Sequence, residues 1–335
     1  MITYPILHKQ DQISVTAVSS GVPPELHFLL KEAKEKLERD GYQVDIDDTA
    51  WTHKELQAAP ASERAKALHV HLDKQPGVVI PPWGGHRLIS MLEHIDFARI
   101  PHTWLLGYSD TSVLLLAVTL RTGIATAHGT NFVDLRGSTT DSTTAMWERV
   151  LMTPNGKTVS QRSSEHFQPE WQFDNPTPHI FHLTEPTEWK SIGGSSVQGR
   201  LLGGCIDVIH HLVGTPYGDV AAFQRDKLGG KSILWYFENC DMNTSDVWRS
   251  LQQMKLAGWF DHISGIMFGR SSANQAVEDL TIELVYEELA SELQVPVLYD
   301  IDCGHMPPQV TLINGAFADV TVENGKGIIV QEFRE

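Results

Sequence analysis

Cysteine and basic residues are scarce in this sequence. Its 335 residues include three cysteines, at positions 205, 240 and 303, and none belongs to a C-x-x-C pair. An odd, widely spaced set is typical of a reducing compartment rather than a disulfide framework, so we expect a cytoplasmic protein. Lysine and arginine total 26 against 42 aspartates and glutamates, which gives a formal net charge of −16. This charge argues against a nucleic-acid partner and against an anionic membrane surface, because both require clustered basic side chains.

Long apolar runs and the common cofactor motifs are missing as well. No stretch approaches the roughly 20 apolar residues that cross a bilayer, and no basic region followed by an apolar run opens the chain. We therefore expect neither a membrane partner nor a signal peptide. The sequence contains no Walker lysine motif, no G-x-G-x-x-G and no H-E-x-x-H, and the histidine pairs at 69/71 and 210/211 are weak metal signals. These absences predict no cofactor and no metal.

Strand and helix patterns alternate along the first part of the chain. Residues 77–80 form a continuous apolar run, which is typical of a parallel strand covered on both faces. Apolar residues recur at helical spacing over 25–40. We predict an α/β protein with two domains: an N-terminal parallel-sheet domain over 1–135, a connection over 136–178, and a C-terminal mixed β/α domain over 179–335.

Ser109 lies where a short strand runs straight into a helix. The sequence Gly-Tyr-Ser-Asp-Thr at 107–111 follows the apolar residues 104–106 and precedes the apolar run 113–118. A serine on such a turn is lifted clear of the sheet, where unpaired N–H groups and the helix dipole favour developing negative charge. This pattern predicts the nucleophile elbow of a serine hydrolase. The alternative is that Ser109 and Asp110 only cap a buried helix.

A serine nucleophile needs a base and an orienting carboxylate, and the C-terminal part offers one candidate for each. His305 lies in the loop Cys-Gly-His-Met-Pro-Pro at 303–308, where glycine and proline on both sides indicate a fixed conformation. Glu238 ends the apolar run 233–237, and the C-terminal end of such a strand is a usual place for a site residue. The alternatives are a surface-loop histidine and a carboxylate in a turn or helix cap.

The glycine pair Gly84-Gly85 follows the strand predicted at 77–80. Glycine at this place lets the backbone approach a substrate closely. The N–H groups of Gly85 and Asp110 could then form an oxyanion hole. The alternative is a tight turn between a strand and a helix.

Six motifs that follow one another along most of the chain resemble those of a known family. They are A-V-S-S at 17–20, W-G-G-H-R-L at 83–88, G-Y-S-D-T at 107–111, G-R-L-L-G-G-C at 199–205, F-E-N at 237–239 and G-H at 304–305. Together they resemble the S66 family of serine peptidases. That family contains the muropeptide LD-carboxypeptidases and the microcin C self-immunity proteins.

The resemblance implies a catalytic triad of Ser109, Glu238 and His305. It also implies an oxyanion hole from the backbone at Gly85 and Asp110, a site between two α/β domains, and a homodimer. One position departs from the family pattern: relatives commonly have a second acidic residue after the triad glutamate, and this chain has asparagine there.

The implied activity is that of a serine carboxypeptidase-type hydrolase acting on a small peptide or peptidyl-nucleotide substrate. A cation should then hold the free carboxylate of the substrate, and Arg87 and Arg200 are the candidates. The alternative for each arginine is a surface salt bridge.

An aromatic side chain distinguishes the two branches of the family and their substrates. In the microcin-immunity branch an aromatic residue on a loop in the region that corresponds to 185–200 stacks on the nucleotide base. Trp189 or, as a second candidate, Trp171 would do so here. The alternative is that Trp189 packs against the domain edge. The longer chain and this loop favour microcin C-like detoxification of peptidyl or aminoacyl nucleotides. A muropeptide LD-carboxypeptidase and, from another class, a non-catalytic ligand-binding protein with this fold remain as alternatives.

Overall fold

Two β-sheets organise the chain, with helices packed against them. The structure is a computed structural model that describes residues 1–170 and 180–334. The first sheet has six strands, the second has eight, and a small third sheet has two. The prediction of an α/β fold with two sheet-containing domains is therefore confirmed.

The first sheet is built from the strand–helix alternation of the N-terminal part. Its strands from this part are β1 (Gln12–Val15), β2 (Gln43–Ile46), β3 (Val78–Ile80), β4 (Trp104–Gly107) and β5 (Thr126–His128). They are parallel and lie in the order β5-β4-β3-β1-β2. The α-helices here are α1 (His27–Arg39), α2 (Ala61–Asp73) and α3 (Ser112–Thr122). Short 3₁₀ helices occupy Pro24–Leu26, Asp48–Trp51, Leu88–His94, Phe97–Arg99, Ser109–Thr111 and Phe132–Leu135.

The second sheet is mixed, with a parallel centre and antiparallel edges. The strands that follow β5 are β6 (Thr158–Arg162), β7 (His166–Phe167), β8 (Glu185–Pro186), β9 (Lys190–Ile192), β10 (Ser196–Cys205), β11 (Ile233–Glu238), β12 (Ile263–Gly269), β13 (Val297–Ile301), β14 (Leu312–Asn314), β15 (Phe317–Glu323) and β16 (Lys326–Glu332). The second sheet has the order β6-β16-β15-β10-β11-β12-β13-β9, and β7 pairs with β8. Its helices are α4 (Met146–Leu151), α5 (Ile206–Ile209), α6 (Val220–Phe223), α7 (Thr244–Leu256) and α8 (Ile282–Leu293), with a 3₁₀ turn at His210–Leu212 and a π turn at Gln224–Leu228.

Helix α3 is apolar on every side because it packs against both sheets. Its residues from Ser112 to Leu120 are all buried, as expected for a helix without a solvent face. It contacts β5 of the first sheet and β10 of the second. The hydroxyl of Ser112 accepts a hydrogen bond from the N–H of Cys205 at 3.0 Å. The turn that precedes α3 is therefore anchored on both sides.

Two strands pair in sheets that the predicted domain limits did not indicate. Strand β14 pairs antiparallel with β5, so it becomes the sixth strand of the first sheet. Strand β6, from the segment predicted as a connection, pairs with β16 in the second sheet. The domain limits at 135 and 178 stay a prediction, and pairing across the sequence holds the two sheets together.

Candidate active site

Ser109 occupies the turn between β4 and α3 in a strained conformation. Its φ is +62°, in the left-handed region that non-glycine residues rarely adopt. Strain of this kind is found at functional sites, where the surrounding structure imposes it. A Cβ at Gly84 would lie 2.6 Å from Ser109 Oγ, so glycine leaves the space in which the hydroxyl sits. The turn therefore has the geometry of a nucleophile elbow.

The loop after β3 is bound to this turn through the side chain of Asp110. The carboxylate accepts hydrogen bonds from the N–H of Leu88 (2.9 Å) and from the hydroxyl of Ser19. Burial raises the pKa of Asp110 even though these bonds favour its ionised form. A Cβ at Gly85, where φ is +150°, would lie 2.3 Å from Ser19 Oγ. Gly85 and Asp110 line one cleft with Ser109, which brings together the positions predicted for the oxyanion hole.

Glu238 and His305 meet at the C-terminal ends of two strands of the second sheet. Glu238 is the last residue of β11, and His305 follows β13. Their Oε2 and Nδ1 atoms are 2.7 Å apart, with the Glu238 side chain 0% exposed and that of His305 16% exposed. A Cβ at Gly304 (φ +101°) would lie 2.6 Å from Glu238 Cβ. Glycine is therefore required for the loop to bring the imidazole onto the carboxylate.

The two groups shift each other's pKa in opposite directions. Burial alone would raise the pKa of Glu238, but the charge and hydrogen bond of His305 lower it. Burial alone would lower the pKa of His305, but Glu238 raises it well above its ordinary value. Because Nδ1 is bound to the carboxylate, Nε2 is the nitrogen left to exchange a proton with another group.

Cys240 is a neighbour of His305 that sequence reasoning did not identify. Burial raises the pKa of its thiol, and the imidazole of His305 acts in the opposite direction. Cys240 and Ser109 line the same cleft. The hydrogen bonds of the described residues include none between Ser109 Oγ and His305.

The cleft in front of Ser109 has a volume of about 660 Å³. One wall comes from the loop after β3 and the turn after β4, and the other from the ends of β10 and β11, from α5 and from α7. The lining side chains with charged or hydrogen-bonding groups are His86, Ser109, Asp110, Cys205, Asp207, His210, His211, Cys240, Asp241, Asp246, Arg249, Ser250 and Gln253. The cleft therefore offers acidic and basic groups on its second wall.

Arg249 and the adjacent residues His210 and His211 line the cleft, and the sequence did not single them out as substrate-binding residues. Arg249 lies on α7 and is paired with Asp246 at 2.9 Å. The two imidazole rings have centroids 3.8 Å apart. The sequence of an exposed helix face gives no signal of which molecule or which wall of a cleft it faces.

Arg200 does not face the cleft, which corrects its prediction as a ligand for the substrate carboxylate. The side chain is 1% exposed. Its Nη1 donates to the hydroxyl of Tyr4 (2.8 Å) and to the carbonyls of Gly315 (3.0 Å) and Arg334 (2.6 Å). It lies five residues before Cys205, the cleft residue of β10, a separation of about 16 Å along a strand. Arg200 therefore ties the chain termini to the second sheet.

Arg87 is exposed, but its guanidinium turns to another loop. Nη1 donates to the carbonyl of Glu55 at 3.1 Å. Arg87 is not among the residues that line the cleft described above. Its predicted role in holding a carboxylate stays a prediction without a supporting contact.

Trp189 is a core side chain, which corrects its prediction as a platform for a nucleotide base. It is 1% exposed, and its indole N–H donates to Asp302 Oδ2 at 2.9 Å. A Cβ at Gly327 would lie 1.9 Å from the indole ring, so the ring is packed directly on the backbone of β16. Neither face is open to a ligand. Trp171, the second candidate, lies outside the described residues.

Replacing Trp189 by phenylalanine should lower stability without weakening substrate binding. The variant leaves a buried oxygen of Asp302 without its indole donor, so we expect about 2 kcal/mol less free energy of unfolding. The Michaelis constant should stay within twofold of wild type. Urea unfolding and steady-state kinetics check both values. Trp248→Phe, at an exposed tryptophan, is the matched control, and a raised Michaelis constant with unchanged stability would restore the stacking role.

Within residues 1–170 and 180–334, no group of three or more His, Cys, Asp or Glu side chains is arranged to hold a metal ion. Over the same part of the chain, no helix has the length and apolar character needed to cross a membrane. The absence of a cofactor stays a prediction.

The fold and its relatives define a serine peptidase-type enzyme. The chain belongs to the S66 LD-carboxypeptidase family: the N-terminal domain of that family matches residues 13–129, and its C-terminal domain matches residues 198–320. The resemblance found in the sequence motifs is therefore confirmed.

Relatives and solved structures span nearly the whole chain. A putative carboxypeptidase of Vibrio cholerae is 24% identical over 323 residues, which cover 94% of this chain and 93% of the relative. A structure of the microcin C7 self-immunity protein MccF with aspartyl sulfamoyl adenosine has a TM-score of 0.83 at 19% identity, with 100% of both chains covered. A muramoyltetrapeptide carboxypeptidase from Oxalobacter formigenes has a TM-score of 0.71 at 20% identity, with 96% of this chain and 98% of that chain covered. At these identities the structural likeness concerns the fold alone.

Proposed function

We propose that Ser109, His305 and Glu238 form a catalytic triad that hydrolyses an amide bond beside a free carboxylate or an aminoacyl-nucleotide end. The observation that carries the proposal is an imidazole–carboxylate pair that lies beside Cys240, a residue that lines the same cleft as the strained serine turn. The 2.7 Å contact between His305 and Glu238 provides the oriented base that a serine needs. Gly85 and Asp110 supply backbone N–H groups beside the nucleophile.

The reaction follows from the roles of these groups. Ser109 Oγ attacks the amide carbon while His305 Nε2 accepts the hydroxyl proton, and Glu238 stabilises the resulting imidazolium. The N–H groups of Gly85 and Asp110 hold the oxyanion of the tetrahedral intermediate. His305 then protonates the leaving amine, and a water molecule activated by the same imidazole hydrolyses the acyl-enzyme.

The imidazole must form a hydrogen bond to Ser109 before it can act. We propose that this bond forms as substrate fills the cleft, because catalytic hydrogen bonds often tighten only in the substrate complex. The second class of function makes the opposite prediction: a ligand-binding protein with this fold would never form the Ser109–His305 bond.

For the substrate we propose a peptidyl or aminoacyl nucleotide. The supporting observation is that MccF, a structural neighbour of this chain, binds aspartyl sulfamoyl adenosine. The cleft of about 660 Å³ is large enough for an aminoacyl nucleoside. The alternative is a muropeptide cleaved by LD-carboxypeptidase activity. The burial of Trp189 favours this alternative, because it removes one of the two aromatic side chains proposed to stack on a base.

Side-by-side hydrolysis tests the proposal. The purified protein is incubated with aspartyl sulfamoyl adenosine and with an L,D-linked muropeptide tetrapeptide, and products are identified by mass spectrometry. Release of the amino acid from the nucleotide alone supports detoxification of the microcin C type. Release of the terminal D-amino acid alone assigns the protein to muropeptide cleavage. Binding without turnover of either compound supports the non-catalytic class.

Arg249 replaces Arg200 in our proposal as the cation that holds the substrate carboxylate. We expect Arg249→Ala to raise the Michaelis constant about tenfold, which corresponds to roughly 1.4 kcal/mol of binding, and to leave kcat nearly unchanged. The effect should vanish when the substrate carboxylate is amidated. Steady-state kinetics with both substrate forms measure it.

Arg225→Ala is the matched control, because Arg225 is exposed and paired with a neighbouring aspartate but lies away from the cleft. It should leave both constants unchanged. Equal losses with the carboxylate and amide substrates would contradict the role of Arg249.

The proposal also includes a homodimer in the cytoplasm. The three thiols are free, and Cys205 and Cys303 are buried, which suits a reducing compartment. Size-exclusion chromatography with light scattering tests the dimer.

A further inference from the structure

His128 lies on the opposite side of the Glu238 carboxylate from His305. It is the last residue of β5, in the first sheet, whereas Glu238 ends β11 in the second sheet. Its Nε2 is 3.9 Å from Glu238 Oε1, and both side chains are 0% exposed. No hydrogen bond of ordinary length reaches either atom among the described residues, and the thiol of Cys205 is the other donor close to the Glu238 carboxylate. Two buried polar atoms that lack partners and face each other are costly unless one of them donates to the other.

The surroundings of His128 determine which ring nitrogen carries the proton. Its Nδ1 lies 3.8 Å from Cys303 Sγ. Burial raises the pKa of Cys303 well above its ordinary value, so the thiol stays protonated and can donate. Burial lowers the pKa of His128 to about 4, so the ring is neutral at pH 7 and has one N–H. A thiol proton directed at Nδ1 leaves that N–H on Nε2, which faces the carboxylate.

The other tautomer is unfavourable. It would direct the lone pair of Nε2 at Glu238 Oε1, and two electron-rich atoms would then face each other in a site without water contact. The aromatic rings of Tyr108 and Tyr236 lie at centroid distances of 6.4 and 5.4 Å from the imidazole, both nearly edge to face, and restrict its rotation.

We propose that His128 is a positioning residue that donates its Nε2–H to Glu238 Oε1, so that the catalytic carboxylate is held between two imidazoles. The inference rests on the proposed triad and deepens it. His305 binds one oxygen and His128 the other, which fixes the plane of the carboxylate and therefore the direction of the His305 ring. Because His128 belongs to the first sheet, the contact also fixes Glu238 relative to the strand that leads into Ser109, since His128 pairs with Gly107.

The donor should also set the pH at which the base becomes active. The Glu238 carboxylate is ionised in both protonation states of His305. A hydrogen bond from His128 withdraws part of its negative charge and weakens its attraction for an imidazolium at His305, which lowers the apparent pKa at which the pair takes up a proton. Loss of the donor should raise this pKa. The remaining titratable groups close to the pair come from strands β10 and β11, from helix α5, from the 3₁₀ helix after β5 and from the loops that follow β4, β11 and β13. They are Tyr108, Asp134, Cys205, Asp207, Tyr236, Cys240 and Cys303.

Two variants separate the donor from the space that it fills. His128→Phe removes the N–H and keeps a ring, whereas His128→Gln places an amide N–H close to the position of Nε2. The apparent pKa of the pair is followed by NMR of protein with ¹⁵N-labelled histidine. The reactivity of Ser109 is followed by its rate of labelling with a fluorophosphonate over pH 5–9, which needs no knowledge of the substrate.

We expect wild-type His128 to be the Nε2–H tautomer. In His128→Phe the apparent pKa of the pair should rise by about one pH unit, and labelling at pH 7 should slow about tenfold. His128→Gln should remain within threefold of wild type. An Nδ1–H tautomer in the wild type, or equal losses in both variants, would overturn the proposal.

The two proposals fail in different ways. If Ser109 of the wild type is not labelled at all, the proposed hydrolase function fails, but the tautomer of His128 and the pKa of the pair still decide the role of His128. If His128→Phe does not fold, the tautomer of the wild type and the titration of His128→Gln still test whether His128 donates to Glu238.

Discussion

Ser109→Ala should abolish hydrolysis while leaving the fold intact. The substitution removes only Oγ, and alanine has the same Cβ in the strained turn, so the free energy of unfolding should change little. Loss of the nucleophile from a serine triad lowers kcat on the order of 10⁶-fold. The measurement is turnover of whichever compound the wild type cleaves, with circular dichroism as the check of folding.

Ser90→Ala is the control for this variant. Ser90 is an exposed serine on the 3₁₀ helix after β3, and its hydroxyl donates to the carbonyl of Arg87 at 2.8 Å. Its loss should leave kcat within twofold of wild type. If Ser109→Ala kept more than a tenth of the activity, another nucleophile would be at work, and Cys240, which lines the same cleft, would be the first to test.

Glu238→Gln should have the second-largest effect. The amide is nearly isosteric with the carboxylate, but it has no charge to stabilise the imidazolium. Its N–H₂ group can also face Nδ1 and select the wrong tautomer of His305. We expect kcat to fall on the order of 10⁴-fold, as found when the acidic member of a triad is neutralised. The pKa of His305 should fall, because the charge that raises it above its ordinary value has gone.

The pH profile distinguishes this effect from a simple loss of structure. The residual activity of Glu238→Gln should persist to lower pH than that of wild type, because neutral His305 then exists at lower pH. Asp241→Asn removes the same charge from an exposed position in the same cleft and should leave both kcat and the profile almost unchanged. An unchanged acidic limb in Glu238→Gln would mean that another group provides the base.

The triad candidates could be predicted because local sequence determines where they lie. Ser109 is set between an apolar strand and an apolar helix, and Glu238 closes an apolar strand, so both fall at strand ends where sites form. Gly84 and Gly304 leave the space that Ser109 and Glu238 occupy, where a side chain would clash. The motif order then completed the family prediction.

The substrate-binding residues were harder to predict, because the burial of a side chain depends on distant parts of the chain. Arg200 is buried because Tyr4 and the carbonyl of Arg334, from opposite ends of the sequence, converge on it. Trp189 is buried because the backbone at Gly327 lies against it. A tryptophan in a glycine-rich stretch has the same sequence signature whether it faces a cleft or a core.

The sequence also did not predict which sheet each strand joins. A short apolar run such as 310–312 predicts a strand, but it does not say which sheet the strand joins. The structure has the strand at Leu312–Asn314 and pairs it with β5 rather than with its neighbours in sequence. His128 escaped notice for the same reason, because its partner Glu238 is 110 residues away and in the other sheet.

The place of β14 in the first sheet has a consequence for how a substrate enters. The loop that holds His305 begins at β13 in the second sheet and ends at β14 in the first. A hinge motion that opened the two sheets would pull this loop from both ends and move the imidazole off Glu238. We therefore expect access to the cleft to come from local movement of its rim, which would leave His305 aligned with Glu238 while the entrance changes.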